Sequence, residues 1–133
     1  MVKPKISLIT LGVSDVGRAT AFYERLGWTA SSDQGEVAFF ELEGVVLGLF
    51  GWDDLADDAG LPTSHGSGFR GQSLAHNEPS PKDVDQVFQE FLEAGATVVK
   101  HPGPTPWGGY SGYVADLDGH LWEIAHNPFS DWT

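Results

Sequence analysis

The chain has 133 residues, 41% of them hydrophobic and 12% aromatic, a composition that allows one domain with a core of its own. Its 19 acidic and 7 basic residues give a formal net charge of −12, which excludes nucleic acids and anionic membranes as partners, because both require a basic surface. No apolar run approaches the roughly 20 residues of a membrane span, no signal segment opens the chain, and there is no cysteine. We therefore expect a cytoplasmic protein without disulfide or thiol chemistry.

The first half of the chain is predicted to form one strand, one helix and three further strands. Residues 6–13 are an apolar run with β-branched members, which favours a strand. Ser14-Asp15 can cap the helix that follows, in which apolar residues recur at helical spacing, and Gly27 ends it. The remaining strands of this half are predicted at 28–31, 36–42 and 45–50.

Residues 51–68 break this pattern with four aspartates, several glycines and a proline. We interpret this stretch as a connector with one helical turn around Leu55. Its aspartates favour a solvated surface, because a cation site would need their oxygens at a defined loop spacing.

The second half repeats the order of elements. Ser80-Pro81 caps and opens a helix, and Gly95 ends it. A turn from Asp116 to Gly119 joins the last two strands, because Asp bonds to nearby backbone amides and Gly accepts a positive φ. The strands of this half are predicted at 69–77, 96–100, 111–116 and 121–125.

The two halves can be aligned on the glycines that end their helices, Gly27 and Gly95. Two copies of one β-α-β-β-β module result, spanning 6–50 and 69–127 within a single domain of residues 1–133. The predicted fold class is therefore mixed α+β.

Glu123 interrupts the apolar strand at 121–125. Because side chains alternate between the two faces of a strand, Glu123 shares a face with Leu121 and Ala125, whereas Trp122 and Ile124 form a core face. Glu123 thus points away from the core, and three roles are open to it: a carboxylate in a cavity, a metal ligand, or a surface residue.

Aromatic residues lie beside a flexible Gly-Gly pair just before this hairpin. Trp107 and Tyr110 flank the pair and suit either a ligand wall or a core, whereas Tyr113, in mid-strand, is more typical of a structural residue. Phe40 and Trp52 are candidates for a matching wall contributed by the first module.

Two stretches of the chain resemble the vicinal oxygen chelate superfamily, which includes glyoxalase I, bleomycin-resistance proteins and extradiol dioxygenases: LGVSDVGRATAFYERLGW in the first module and YVADLDGHLWEI in the second. The resemblance covers nearly the whole chain. It implies a glyoxalase-like fold in which two β-α-β-β-β modules curl their sheets and pair them into a half-open barrel around a cavity.

The resemblance also implies where a metal would be held in metal-dependent members, namely in the first and fourth strands of each module. Glu123 matches one ligand position, but Leu8 stands where a histidine belongs, and the equivalent of Glu123 falls on or beside Gly48. The remaining position falls on His76 by counting back from the helix-ending glycine. It falls on Ser73 if the Ser80-Pro81 region carries an insertion. We favour Ser73, because the next residue, Leu74, then faces the core. We expect no metal ion and no other cofactor.

His76 and His126 occur in the same tripeptide, Ala-His-Asn, at the ends of strands that neighbour each other in this fold. The pair suits either metal binding or joint titration. The alternative is that each makes ordinary polar contacts with a loop.

These observations predict a metal-free protein that binds a small organic molecule, with no catalytic residue assigned. The alternative is a metal-dependent lyase or dioxygenase that uses Glu123 and His76, and a third class is an interaction subunit with a vestigial pocket. Because half-barrel sheets leave edge strands and apolar faces, we expect a homodimer. The predicted ligand-binding residues are Trp107, Tyr110, Glu123, Ser73, Phe40 and Trp52.

Overall fold

Two four-stranded sheets carry the fold in this computed structural model, which describes residues 1–33 and 35–133. The chain divides into two units, residues 1–67 and 68–133, and each contains one of the sheets.

The first unit contains four strands and two helices. Its sheet has the order β1-β4-β3-β2, with β1 parallel to β4 and the other neighbours antiparallel. The elements are β1 (Leu8–Val13), α1 (Val16–Arg25), β2 (Ser32–Asp33), β3 (Val37–Leu42), β4 (Val45–Gly51) and α2 (Trp52–Asp58).

The second unit repeats this topology without a counterpart of α2. Its sheet has the order β5-β8-β7-β6, again with the first pair parallel and the others antiparallel. The elements are β5 (Leu74–Asn77), α3 (Pro81–Ala94), β6 (Thr97–Pro104), β7 (Tyr110–Ala115) and β8 (Leu121–His126). The predicted mixed α+β fold with two β-α-β-β-β modules is confirmed.

Local hydrogen bonds explain why α1 and α3 begin where they do. The Asp15 carboxylate accepts a hydrogen bond from the Arg18 amide at 3.0 Å, and the Ser80 hydroxyl accepts one from the Asp83 amide at 3.1 Å. At the other end of α3, Gly95 adopts a left-handed conformation with φ of +118°, which stops the helix.

These caps also show where the modules differ in length. The capping residues Asp15 and Ser80 are 65 positions apart, whereas the glycines beyond the helices, Gly27 and Gly95, are 68 apart. The additional residues therefore lie within α3, which has 14 residues against 10 in α1. The insertion predicted in the Ser80-Pro81 region therefore lies in the helix that Pro81 opens.

Two predicted strands differ from the observed ones. The second strand, predicted at 28–31, lies instead at Ser32–Asp33, and the Trp28 ring before it packs on Tyr23 with a centroid distance of 5.7 Å. The strand predicted at 69–77 begins only at Leu74, since Gly68 and Gly71 both have positive φ values that break an extended chain. The connector also contains a longer helix, α2, than the single turn expected.

Each sheet buries the face on which its long helix packs. In the second unit, Phe91 of α3 lies 5.7 Å from Trp122 of β8, measured between ring centroids. We call the opposite face of each sheet, away from α1 or α3, its open face. The buried apolar residues that define the helix-bearing faces are Leu11, Val13, Ala38, Phe40, Leu47 and Leu49 in the first unit and Val114, Trp122 and Ile124 in the second.

Among the described residues, no helix combines the length and the apolar character that crossing a membrane requires.

We expect Gly95→Ala to lower the free energy of unfolding by about 1–2 kcal/mol, because alanine is strained in the left-handed conformation that ends α3. Gly17→Ala is the matched control. Gly17 is exposed within α1 and has no positive φ, so alanine should raise stability there by roughly 0.5–1 kcal/mol. Urea denaturation of both variants measures the difference, and equal effects of the two would contradict the role of Gly95.

Candidate ligand-binding site

A row of paired residues crosses the open face of the second sheet. Glu123 of β8 is paired with Ala75 of β5 on one side and with Tyr113 of β7 on the other, and Tyr113 is paired in turn with Lys100 of β6. Residues directly opposite each other in neighbouring strands project from the same face. Because Trp122 faces α3, the row lies on the open face, and the prediction that Glu123 points away from the core is confirmed.

The centre of the row is the pair formed by Tyr113 and Glu123. Burial raises the pKa of Tyr113, and the negative charge of Glu123 and a hydrogen bond to its carboxylate raise it further. The phenol therefore stays protonated at neutral pH beside the Glu123 carboxylate. The carboxylate keeps acceptor capacity for a ligand.

Small side chains border the pair. Ser111 and Ala125 are paired with each other on the same face, and Ala75 lies beside Glu123. Because their neighbours are short, the longer side chains of Glu123 and Tyr113 extend further from the sheet. They are therefore polar groups of this face that a ligand could contact.

The first sheet carries the equivalent row with different chemistry. Gly48 of β4 is paired with Thr10 of β1 and with Phe39 of β3, so that Gly48 corresponds to Glu123 and Phe39 to Tyr113. A methyl group on Gly48 would lie 3.3 Å from the Thr10 hydroxyl oxygen and 3.4 Å from the Phe39 ring. These contacts leave little room for a longer side chain at Gly48.

The residues at the implied ligand positions do not fit a transition metal. Leu8 is an aliphatic residue with 48% of its surface exposed, and Gly48 has no side chain to donate. Ser73 lies one residue before β5 and is exposed. Within residues 1–33 and 35–133, no group of three His, Asp or Glu side chains is placed to hold a metal ion.

His76 faces away from Glu123. It is paired with Ile124, a residue of the core face, and its Nε2 lies 2.8 Å from a carboxylate oxygen of Glu78. His126 Nδ1 lies 3.1 Å from the backbone oxygen of the same Glu78. Both histidines thus make polar contacts at strand ends, as one of the two interpretations predicted, and the alternative site built from Glu123 and His76 does not form.

The two aromatic residues predicted beside Glu123 are placed differently. The Tyr110 hydroxyl donates to Asp85 Oδ1 of α3 at 2.7 Å, so Tyr110 lies on the helix-bearing side of the sheet. Its assignment to a cavity with Glu123 was wrong, because Tyr110 and Tyr113 are three positions apart in the strand and therefore lie on opposite faces. Trp107 lies in the turn between β6 and β7, where its ring covers Gly109 and 47% of the residue is exposed.

The candidates from the first unit also separate. Phe40 is fully buried beneath α1 against Tyr23 and Trp28, with ring centroids 6.1 and 6.4 Å away, so its assignment to a cavity wall was wrong. Trp52 lies over Gly12 on the open face of the first sheet, and its indole N–H donates to a backbone oxygen in the connector at 3.0 Å.

The turn between β7 and β8 is a structural element, as predicted. The Asp116 carboxylate accepts hydrogen bonds from the backbone amides of Asp118 and His120, both at 2.9 Å. This local pattern closes the hairpin and fixes which residues of β7 and β8 face each other.

The sequence interpretation missed Tyr113. The signal was present, because counting outward from the turn at Asp116 to Gly119 places Tyr113 opposite Glu123. The position of a hairpin turn therefore identifies the partner of a polar strand residue more reliably than the aromatic character of a nearby loop.

We expect the Glu123→Gln variant to lower the pKa of Tyr113, because it removes the negative charge and the strongest acceptor beside the phenol. The wild-type pKa lies above the unfolded value of 10.0, so the stabilisation linked to this group is present below about pH 10 and is lost as the pH rises through the folded pKa. Absorbance of the phenolate measures the titration. Asp85→Asn is the matched control, since it should lower the pKa of Tyr110 and leave that of Tyr113 unchanged.

Comparison with known proteins agrees with this fold. A crystal structure of a glyoxalase-related enzyme from Fulvimarina pelagi is 34% identical, covers 95% of this chain and 90% of its own, and superimposes with a TM-score of 0.87. A glyoxalase/bleomycin resistance protein/dioxygenase from Nocardioides is 26% identical, with coverages of 95% and 85% and a TM-score of 0.77. A lactoylglutathione lyase from Agrobacterium tumefaciens is 24% identical over 99% of this chain and 100% of its own, with a TM-score of 0.71.

Similarity to curated sequences is more local. Uncharacterised proteins of Mycobacterium bovis and Mycobacterium tuberculosis are 50% identical over 42 residues, or 32% of this chain. The match spans only about a quarter of the length of those relatives, 28% and 25% respectively. The model of the Glyoxalase/Bleomycin resistance protein/Dioxygenase superfamily, by contrast, matches residues 5–124. The chain belongs to the glyoxalase/bleomycin resistance protein/dioxygenase superfamily.

Proposed function

We propose that the open face of the second sheet binds a small organic molecule without a metal ion, through Glu123 and Tyr113. The observation that carries the proposal is the cross-strand pair of these two side chains in the middle of the sheet face opposite α3. Both lie on the face opposite the buried Val114, Trp122 and Ile124.

The chemistry of the pair favours a ligand that donates hydrogen bonds. Glu123 is an acceptor, and the phenol oxygen of Tyr113 beside it can also accept a hydrogen bond. The excess of acidic residues over the whole chain adds a field that favours neutral or cationic molecules over anions. Lys100 lies at the far end of the row, where it is the one cationic group of the row and marks the edge of the site.

The same pair explains why we favour binding without a metal over the metal-dependent alternative. A single carboxylate paired across the strands with a phenol is a poor start for a site that needs three or four ligands. Leu8 and Gly48 add no donor atoms at the positions where metal-dependent members supply them.

Assembly as a homodimer, a cytoplasmic location and Trp107 as an added stacking surface stay predictions from the sequence. Light scattering, fractionation and the Trp107→Ala variant would measure them.

We expect Glu123→Gln to weaken ligand binding about tenfold or more, because hydrogen bonds to a charged acceptor contribute about 1.5–3 kcal/mol. Tyr113→Phe should weaken it several-fold, since it removes the polar atom beside the carboxylate. Ligands come from a thermal-shift screen of aromatic and cationic metabolites and glycopeptide antibiotics, and calorimetry measures their affinities.

Tyr110→Phe is the matched control for this experiment. It also removes one phenol oxygen from β7, but from the side that faces α3. Equal losses in Tyr110→Phe and Tyr113→Phe, or no effect of Glu123→Gln on any ligand, would place the binding site elsewhere.

We further expect the protein to purify without a stoichiometric transition metal when chelators are omitted. Elemental analysis of the wild type and of Glu123→Gln makes the measurement. About one zinc, nickel, manganese or iron ion per chain, lost in Glu123→Gln, would support the metal-dependent alternative instead.

A further inference from the structure

A second candidate site lies where β5 and β8 end, apart from the Glu123 row. A cavity of about 350 Å³ opens there between the loop that leads into α3 and the segment that follows β8. That volume is within the range of small-molecule sites in proteins. The residues that give the cavity its chemistry are Glu78, His126, Asn127, Phe129 and Asp131.

The charged groups of this cavity are acceptors, and the side-chain amide of Asn127 adds donors. Glu78 receives a hydrogen bond from His76 Nε2 on one carboxylate oxygen, at 2.8 Å, and its other oxygen has no protein partner among the residues that the structure describes. His126 Nδ1 lies 3.1 Å from the Glu78 backbone oxygen, which can only accept, so Nδ1 donates this hydrogen bond. Asp131 adds a second carboxylate, held by the amide and hydroxyl of Thr133 at 3.2 and 2.5 Å.

The charges and the walls of the cavity select the same type of ligand. No Lys or Arg lines it, and the first turn of α3 is capped by Ser80, which is not part of the lining. Phe129, with 73% of its surface exposed, and two prolines provide apolar walls. A cation that donates N–H bonds to the carboxylates and places an apolar group against an aromatic face satisfies both features.

We infer that this cavity binds a small organic ammonium ion, whose nitrogen donates to Glu78 and whose apolar part packs on Phe129. A metal ion is a weaker fit, because no group of three His, Asp or Glu side chains within the described residues is placed to hold one. The site does not depend on the Glu123 row, since it uses other residues at the ends of the strands.

Phenethylammonium chloride is a suitable probe, with phenylacetate and 2-phenylethanol as anionic and neutral counterparts of similar size. Its titration, followed by heteronuclear NMR, should produce saturable shifts of the backbone amides at 77–78 and 126–131, and its counterparts should not. Glu78→Gln should raise the dissociation constant about tenfold, the factor that corresponds to one charge-assisted hydrogen bond. Glu43→Gln, in an exposed turn of the first unit, is the matched control and should leave it unchanged.

Asp131→Asn keeps the test decisive if Glu78→Gln disturbs the fold, because Asp131 lies on the surface and bonds only to Thr133. It should raise the dissociation constant several-fold. The inference is overturned by any of four results: equal shifts with phenylacetate or 2-phenylethanol, the same affinity in both acidic variants as in wild type, shifts confined to other residues, or no saturable shifts. Zinc chloride that produces the same local shifts at one equivalent would also overturn it in favour of a metal site.

Discussion

The register of β8 between its neighbours is the constraint on which the candidate site depends. Trp122 and Ile124 are buried against α3, and Glu123 between them is therefore held on the opposite face. A slip of one residue would turn the carboxylate into the core and both apolar side chains outward. An unpaired buried charge costs several kcal/mol, and burying the two apolar residues contributes about as much, so that register is strongly favoured. The same register, fixed by the Asp116 turn, places Tyr113 beside Glu123.

The duplicated modules keep this register and change the chemistry that it displays. Each sheet presents a pair at the same place on its open face, Phe39 beside Gly48 in the first and Tyr113 beside Glu123 in the second. The two aromatic residues differ by one hydroxyl group. That hydroxyl has a carboxylate opposite it only in the second sheet. In the first sheet the ring fills the space above a glycine, so the pair offers apolar contact alone. The two modules therefore share a backbone frame, and of these two pairs only the one in the second sheet is polar.

The sequence predicted the elements whose signals are local. Asp15, Ser80 and Gly95 mark helix ends through short-range hydrogen bonds and backbone conformation, and the structure confirms these positions. It predicted the face of Glu123 because the large apolar residues Trp122 and Ile124 flank it and share the other face. Phe40 could not be placed, since it follows Phe39 and Ala38 in a run without alternation, and either face suits an aromatic ring. Tyr110 was misplaced because β7 begins at that residue. A shift of one position along the strand decides whether its side chain reaches Asp85 of α3 or lies on the open face.

The pairing of Tyr113 with Glu123 also bears on the kind of ligand that the proposed site would recognise. The register of β7 and β8 sets the phenol beside the carboxylate before any ligand arrives. Both oxygens can accept hydrogen bonds, and a donor that reaches Glu123 would gain a charge-assisted bond. Phe39 and Gly48, at the equivalent place in the first sheet, have no polar side-chain atom. The proposal therefore assigns polar recognition at this place to the second sheet.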